Sequence, residues 1–134
     1  MEKIPLVSVV VVSYNAEKTI SETLDSIKAQ TYGNLELVIS DDCSKDNTIN
    51  VIDSWVTKNK DRFARIEVVS TPINTGVSAN LNRAIRKCKG TWVKTIAADD
   101  LLCENCVEDY MNYVIENPEA KIVFGNYCYF HTDS

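Results

Sequence analysis

The sequence predicts an α/β fold, with a mostly parallel central sheet and helices on both faces. Three observations predict it. Strand-like and helix-like segments alternate along the chain. The strand-like segments are nearly all apolar and rich in β-branched residues, as strands covered on both faces are. The helix-like segments carry apolar residues at three- and four-residue steps behind capping residues. Strands separated by helices in this way pair in parallel through right-handed crossovers.

The elements follow in order. Val7 to Val12 is an apolar, β-branched strand. Asn15 is placed to cap the first helix, in which Ala16, Ile20, Leu24 and Ile27 share one face. Gly33-Asn34 ends that unit, and Leu35 to Ser40 is the second strand. Asp46 or Asn47 caps a second helix carrying Ile49, Ile52 and Val56. Ile66 to Ser70 is a third strand. Val77, Leu81, Ala84, Ile85 and Cys88 form a third helical stripe, stopped by Gly90. Trp92 to Ala97 is a fourth strand. Cys103, Val107, Tyr110, Met111 and Val114 mark a fourth helix, closed by Asn117-Pro118. Ile122 to Phe130 reads as a last strand, interrupted by Gly125. No repeat, low-complexity tract or linker intervenes, so residues 1–134 are expected to form one domain.

Composition narrows the function. With 45% apolar residues the chain can bury a core. A net charge of -5 argues against a nucleic-acid surface. It leaves room for a small phosphorylated ligand held by a metal or a few local donors. No apolar run is long enough to cross a bilayer, and Met1-Glu2-Lys3-Ile4-Pro5 lacks the apolar stretch of a signal peptide. A cytoplasmic location is expected, compatible with attachment of a longer protein to the inner face of a membrane. Without a secretory signal, Cys43, Cys88, Cys103, Cys106 and Cys128 are expected as reduced thiols. Cys103-Glu104-Asn105-Cys106 has a zinc-knuckle spacing, but no second pair exists and His131 is the sole histidine, so zinc is not expected.

Sheets of this kind bind ligands beyond the carboxyl ends of their strands. Four polar clusters follow the first four strands: Ser13-Tyr14-Asn15, Asp41-Asp42-Cys43-Ser44, Asn74-Thr75-Gly76 and Asp99-Asp100. Neighbouring carboxylates oppose each other's ionisation unless a cation lies between them. A hard divalent cation, Mg²⁺ or Mn²⁺, is the simplest explanation of two acidic pairs on one rim. Each cluster also has a purely structural reading. Asp, Asn and Ser favour turns, Gly76 suits a positive φ, and Tyr14 serves equally as core or as a stacking platform. Their co-occurrence at consecutive strand ends is the signal.

Absences narrow it further. The glycines are Gly33, Gly76, Gly90 and Gly125, so neither a G-x-G-x-x-G fingerprint nor a phosphate-cradling P-loop is present. There is no Gly-x-Ser-x-Gly elbow. Cysteine–histidine catalysis would rest on the near-terminal His131. A glycosidase pair acts on an uncharged sugar and wants no cation between its carboxylates.

The segments Val7-Ser8-Val9-Val10-Val11-Val12-Ser13-Tyr14-Asn15, Leu24-Asp25-Ser26-Ile27 with Gln30-Thr31-Tyr32, and Glu36-Leu37-Val38-Ile39-Ser40-Asp41-Asp42-Cys43-Ser44-Lys45-Asp46-Asn47-Thr48 form a series. Asn74-Thr75-Gly76-Val77-Ser78 with Asn82, and Gly90-Thr91-Trp92-Val93 leading to Ala98-Asp99-Asp100, complete it. In order and spacing the series resembles the family 2 glycosyltransferases. The resemblance implies a Rossmann-like sheet of the GT-A type, here truncated, that is the nucleotide-sugar-binding part of the enzyme. It implies inverting, metal-dependent transfer of a hexosyl-type sugar from a nucleotide diphosphate, UDP above all, to a hydroxyl of a carbohydrate or lipid-linked acceptor, as in polysaccharide or cell-envelope biosynthesis. By position, Val12 and Tyr14 line the base pocket. Asp42 reads the base edge with Asp41 beside it, Asp99 lies near the ribose, and Asp100 holds the divalent cation on the diphosphate.

The sequence departs from the family pattern in places. Ala97 replaces the first acid of an Asp-x-Asp-Asp cluster, and Cys103 stands where a proline is common. Leu81 stands where an arginine is common, and Arg83 or Arg86 is the candidate substitute. The family's catalytic base and acceptor elements follow the strand ending near Phe130, so the base is expected beyond residue 134 and the chain is expected not to turn over alone. The competing readings are a degenerate nucleotide-binding module, a receiver-like signalling domain and a nucleotidyltransferase. A receiver would place its acidic pair where Ser13-Tyr14-Asn15 stands, and a nucleotidyltransferase would need a Gly-rich basic segment there.

Overall fold

The computed structural model describes residues 4–130, so His131 lies outside the described residues. Among the described residues four parallel strands are present: β1 (Val7–Ser13), β2 (Leu35–Asp41), β3 (Arg65–Ser70) and β4 (Trp92–Ala97). Their order across the sheet is β3-β2-β1-β4. In register, Val7 faces Leu35 on one side and Trp92 on the other. Helices α1 (Ile20–Lys28), α2 (Thr48–Asn59) and α3 (Val77–Ile85) occupy the three connections, and α4 (Cys106–Glu116) follows β4.

Alternation in the strands builds two unequal layers. Val7, Val9, Val11, Leu35, Leu37 and Ile39 pack on Ile20, Leu24 and Ile27 of α1, Ile52 and Trp55 of α2, and Val107, Met111 and Val114 of α4. On the other face Val10 and Val38 pack on Ala84 of α3, flanked by Val12, Leu81 and Cys88. The expected α/β fold with helices on both faces is therefore observed.

Gln30, 5% exposed, joins α1 to α4. Its Nε2 donates to the Cys103 carbonyl at 2.7 Å, and its Oε1 accepts the Val107 N–H at 3.0 Å. At the amino end of the sheet Gly90 lies hard against β1. A Cβ there would sit 2.5 Å from Ser8 Oγ and 2.6 Å from the Ser8 nitrogen. Backbone cannot yield as a flexible side-chain tip can, so Gly90→Ala is expected to destabilise the chain by about 1–3 kcal/mol, read from a urea unfolding midpoint.

Four local expectations need correction. Asn15 does not cap α1: the helix begins at Ile20, and Asn15 adopts φ 50° with its Oδ1 accepting the Lys45 N–H at 2.8 Å. The stripe on α3 is rotated, leaving Val77 75% and Ile85 41% exposed, with Asn80 taking the buried position. Its amide bridges the Ser40 hydroxyl and the Ser13 carbonyl, and those bonds set the helix rotation. Cys103 lies outside α4 and is exposed. Residues 122–130 form no strand. Val123 packs against the core, while Ile122, Phe124, Tyr127 and Tyr129 are exposed. Apolar alternation marks such a segment for burial, but a strand also needs a partner ladder, and among the described residues none pairs with these.

Candidate functional site

The four clusters meet. A cleft of about 870 Å³ opens over the carboxyl ends of β1, β2 and β4, and Val12, Tyr14, Asp42, Asn74, Gly76 and Asp99 are among its lining residues. Its position follows from topology. The chain runs outward from β1 through β2 to β3, then returns to the far side of β1 as β4. The loops after β1, β2 and β4 lead to helices on one face and the loop after β3 leads to α3 on the other, and open α/β sheets form a crevice where their connections part in this way.

Side chains of one loop satisfy the backbone of the next. The Asn15 N–H donates to Ser44 Oγ at 2.8 Å, Ala16 N–H to Thr48 Oγ1 at 2.8 Å, and Glu17 N–H to Asp46 Oδ2 at 3.2 Å. In return the Asn47 N–H donates to Glu17 Oε2 at 3.1 Å. Asp46 also receives the N–H and the hydroxyl of Thr48, fixing the entry to α2. Among the described residues Asn15 and Cys43, at φ 50° and 63°, are the non-glycine residues with positive φ; Asn15 lines the cleft and Cys43 follows the lining residue Asp42. Backbone held in this region costs energy, so the surrounding bonds over-determine the loops.

The acidic pair after β2 divides its labour. Asp41 is 0% exposed and does not line the cleft. It accepts the hydroxyls of Ser13 and Ser44 at 2.7 and 2.6 Å and the Ser44 N–H at 2.9 Å, tying β1 to the loop after β2. Asp42 points toward the loop after β3. The Thr75 N–H lies 2.9 and 3.0 Å from its two oxygens, the Thr75 hydroxyl donates to Oδ1 at 2.6 Å, and the Gly76 N–H donates to Oδ2 at 2.8 Å. Burial works to raise the Asp42 pKa, but these bonds and the Arg83 guanidinium overcome it and hold the carboxyl below its usual range. Arg83 Nη2 donates to Thr75 Oγ1 at 2.8 Å and Nη1 to Asn80 Oδ1 at 3.2 Å.

The Asp99-Asp100 turn is positioned through its backbone. The Ala98 N–H donates to the Val12 carbonyl at 3.1 Å. The hydroxyls of Thr19 and Thr23, one turn apart on the side of α1, donate to the carbonyls of Ala98 and Asp100 at 3.0 and 2.7 Å. Both aspartate side chains are exposed. Asp99 lines the cleft and Asp100 adjoins it. Among the described residues no group of three or more His, Cys, Asp or Glu converges as a ready metal cage. Two accessible carboxylates at or next to the cleft nevertheless fit a Mg²⁺- or Mn²⁺-like ion, which takes one or two carboxylates and completes its shell with phosphate and water. The cleft's own charge points the same way: among the described residues that line it, Glu17, Asp42, Asp46 and Asp99 face one cation, Lys18.

Val12, Tyr14, Asp42 and Asp99 thus share the cleft, Asp100 adjoins it and Asp41 supports it from beneath. Arg83 reaches this network, while no contact of Arg86 with it is found among the described residues. Thr19, Thr23 and Asn80 escaped the reading of the sequence. The four-residue spacing of the two threonines and one asparagine within an apolar stripe were the available signals.

The sequence matches the family model described as Glycosyl transferase family 2 over residues 8–133. It is 30% identical over 125 residues to an uncharacterized glycosyltransferase of Haemophilus influenzae, covering 93% of this chain and 48% of that protein. It is 31% identical over 122 residues to the Escherichia coli UDP-Glc:alpha-D-GlcNAc-diphosphoundecaprenol beta-1,3-glucosyltransferase WfgD, covering 91% of this chain and 46% of the relative. Among solved structures, S. aureus TarS 1-349 in complex with UDP-GlcNAc superposes with TM-score 0.74 at 27% identity, over 82% of this chain and 31% of that one. The mannosyltransferase PcManGT from Pyrobaculum calidifontis, in complex with GDP-Man and Mn2+, superposes with TM-score 0.68 at 33% identity, over 72% of this chain and 28% of that one. The chain spans less than half the length of these relatives.

Proposed function

Because the chain belongs to glycosyl transferase family 2, we propose that its cleft binds a nucleotide diphosphate sugar, a UDP-sugar by preference. The proposed role is donor binding in inverting, metal-dependent transfer of a hexosyl-type sugar to a hydroxyl acceptor. One observation carries the reading. Asp42, at the cleft wall, is held ionised and fixed by the Asn74–Gly76 loop, while exposed Asp99 lines the same opening and exposed Asp100 follows it in the chain.

In this reading Val12 and Tyr14 flank the base and Asp42 receives an N–H from its edge. Asp99 faces the ribose, and Asp99 with Asp100 holds the divalent cation. That cation, when bound, offsets the negative charge that builds on the departing diphosphate. Thr19 and Thr23 keep the acidic turn in place, so the carboxylates need little reorganisation on binding. No residue of this chain is assigned as the base that deprotonates the acceptor. The lipid-linked acceptor named for WfgD suggests acceptors of the same kind, and a cytoplasmic site facing the membrane. Among the described residues no helix is long and apolar enough to cross a bilayer.

The two solved neighbours carry different bases, uridine in UDP-GlcNAc and guanosine in GDP-Man. The fold alone therefore does not choose the base. A thermal-shift panel of nucleoside diphosphates and their sugars, with and without Mn²⁺, tests the reading. A ligand present at about 100 times its Kd adds about 2.7 kcal/mol of apparent stability. A uridine diphosphate compound is expected to give the largest shift, and only with the cation. A flat panel would favour a degenerate module that keeps the fold without the ligand.

A further inference from the structure

Base choice can be followed to particular atoms, on the reading that the cleft holds a nucleotide diphosphate with Asp42 at the base. A carboxylate offers about four lone-pair sites. At Asp42 the hydrogens of the Thr75 N–H, the Thr75 hydroxyl and the Gly76 N–H already occupy most of them. The hydroxyl is not free to turn away. A threonine hydroxyl has a single hydrogen, and Arg83 Nη2 donates to its oxygen at 2.8 Å, which directs that hydrogen to Asp42 Oδ1 at 2.6 Å. Arg83 is held in turn by Asn80 Oδ1 at 3.2 Å. Asn80 is 3% exposed and is fixed by the Ser40 hydroxyl and the Ser13 carbonyl. The chain of bonds therefore runs from the ends of β1 and β2 through α3 to the carboxylate.

A carboxylate loaded in this way keeps a single site for an incoming donor. Uracil presents one N–H on its pairing edge, at N3, between two carbonyl oxygens. Guanine presents N1–H and the exocyclic N2–H side by side, a pattern that calls for both carboxylate oxygens at once. We propose that Thr75, locked by Arg83, selects the base: by filling Oδ1 of Asp42 it leaves one acceptor, which suits uracil and rejects guanine. Rejection by an unpaired polar group is the strong form of discrimination, because the refused N–H is desolvated without a partner. Arg83 acts here as a positioning residue, through its bond to Thr75 and with its Nη1 3.9 Å from Asp42 Oδ1.

The test is equilibrium titration of UDP and of GDP, each with Mn²⁺, into the wild-type chain and into Thr75→Val, Thr75→Ser and Arg83→Met. Circular dichroism confirms that each variant is folded. The wild type is expected to prefer UDP by about tenfold or more. Thr75→Val keeps the shape and loses the hydroxyl, so the preference should fall about tenfold, mainly through tighter GDP binding. Thr75→Ser should retain the wild-type ratio. Arg83→Met frees the hydroxyl to turn and should lower the ratio about threefold. If Thr75→Val and Arg83→Met weaken both nucleotides alike, their role is only structural and the selection rule is overturned. A wild type that binds both without preference, or prefers GDP, overturns it too. Should Thr75→Val not fold, the ratio in Arg83→Met decides. A folded wild type that binds neither nucleotide refutes the nucleotide reading itself, and the selection rule with it.

Discussion

Asp42→Ala is expected to weaken UDP binding by about a hundredfold. A hydrogen bond to a charged group contributes about 1.5–3 kcal/mol, so loss of the base contact alone costs about one to two orders of magnitude. The substitution also strips the acceptor from Thr75 and Gly76, whose N–H groups and hydroxyl now converge on that carboxylate. The loop then has to be ordered at the moment of binding, which takes up further binding energy. Calorimetric titration reads the loss. Asp41→Ala is the contrast. Asp41 is 0% exposed and does not line the cleft, so its removal should lower the melting temperature more than the affinity. The lowered pKa of Asp42 adds a pH expectation. The Asp42 carboxyl keeps its charge to lower pH than an ordinary aspartate, so its own contribution to UDP affinity, read as the difference between wild type and Asp42→Ala, should persist to correspondingly lower pH.

Glu36→Ala is expected to be the most damaging change away from the cleft, at about 3–5 kcal/mol. Glu36 is 0% exposed near the amino end of β2, on the same face as Val38 and among polar partners. Ser8 Oγ donates to its Oε1, as do the N–H groups of Lys89 and of Gly90, the latter at 3.2 Å, and Arg65 Nη1 donates to Oε2 at 2.8 Å. Alanine would leave those donors unpaired and Arg65 without its main partner. Urea unfolding should show the loss as a lower midpoint with little change in slope. Glu36→Gln keeps the volume and an acceptor, so it should cost about 1–3 kcal/mol. Burial works to raise the Glu36 pKa, but the bonds from Ser8, Lys89, Arg65 and Gly90 lower it below the usual carboxylate range. A group with a lowered folded pKa gives its full stabilisation above its unfolded pKa. That stabilisation is lost as pH falls toward the folded value. The wild type should therefore lose stability on acidification, and Glu36→Gln should lose less.

The sheet was legible because its strands are buried on both faces: β2 is buried at every position, and its sequence is correspondingly apolar apart from Glu36 and the residues at its carboxyl end. The rim was legible for a related reason. In a parallel sheet the polar residues that follow each apolar run must gather at one end, so Ser13, Asp42, Gly76 and Asp99 could be placed together without a structure. Rotation of the helices was not legible. Val77 and Ile85 read as core in α3, but Asn80 took that position because the Ser13 carbonyl and Ser40 hydroxyl needed partners at the strand ends. Asp41 and Asp42 are adjacent and alike in sequence, yet alternation sends one beneath the loop and the other to the cleft. The segment 122–130 shows the limit most plainly. Its apolar alternation says that it favours burial, and only an adjacent ladder could make it a strand.

The central claim is that the exposed aspartates after β4 hold a cation that completes the donor site. Calorimetric titration of UDP into the wild type and into Asp100→Ala, each with Mn²⁺ and with a chelator, tests it most directly. The expected result is one saturable site in the wild type with Mn²⁺, weakened about tenfold or more by the chelator. Asp100→Ala should bind with that weakened affinity whether Mn²⁺ is present or not. Wild-type binding that is indifferent to the metal, or an Asp100→Ala variant with the full metal response, would contradict the account.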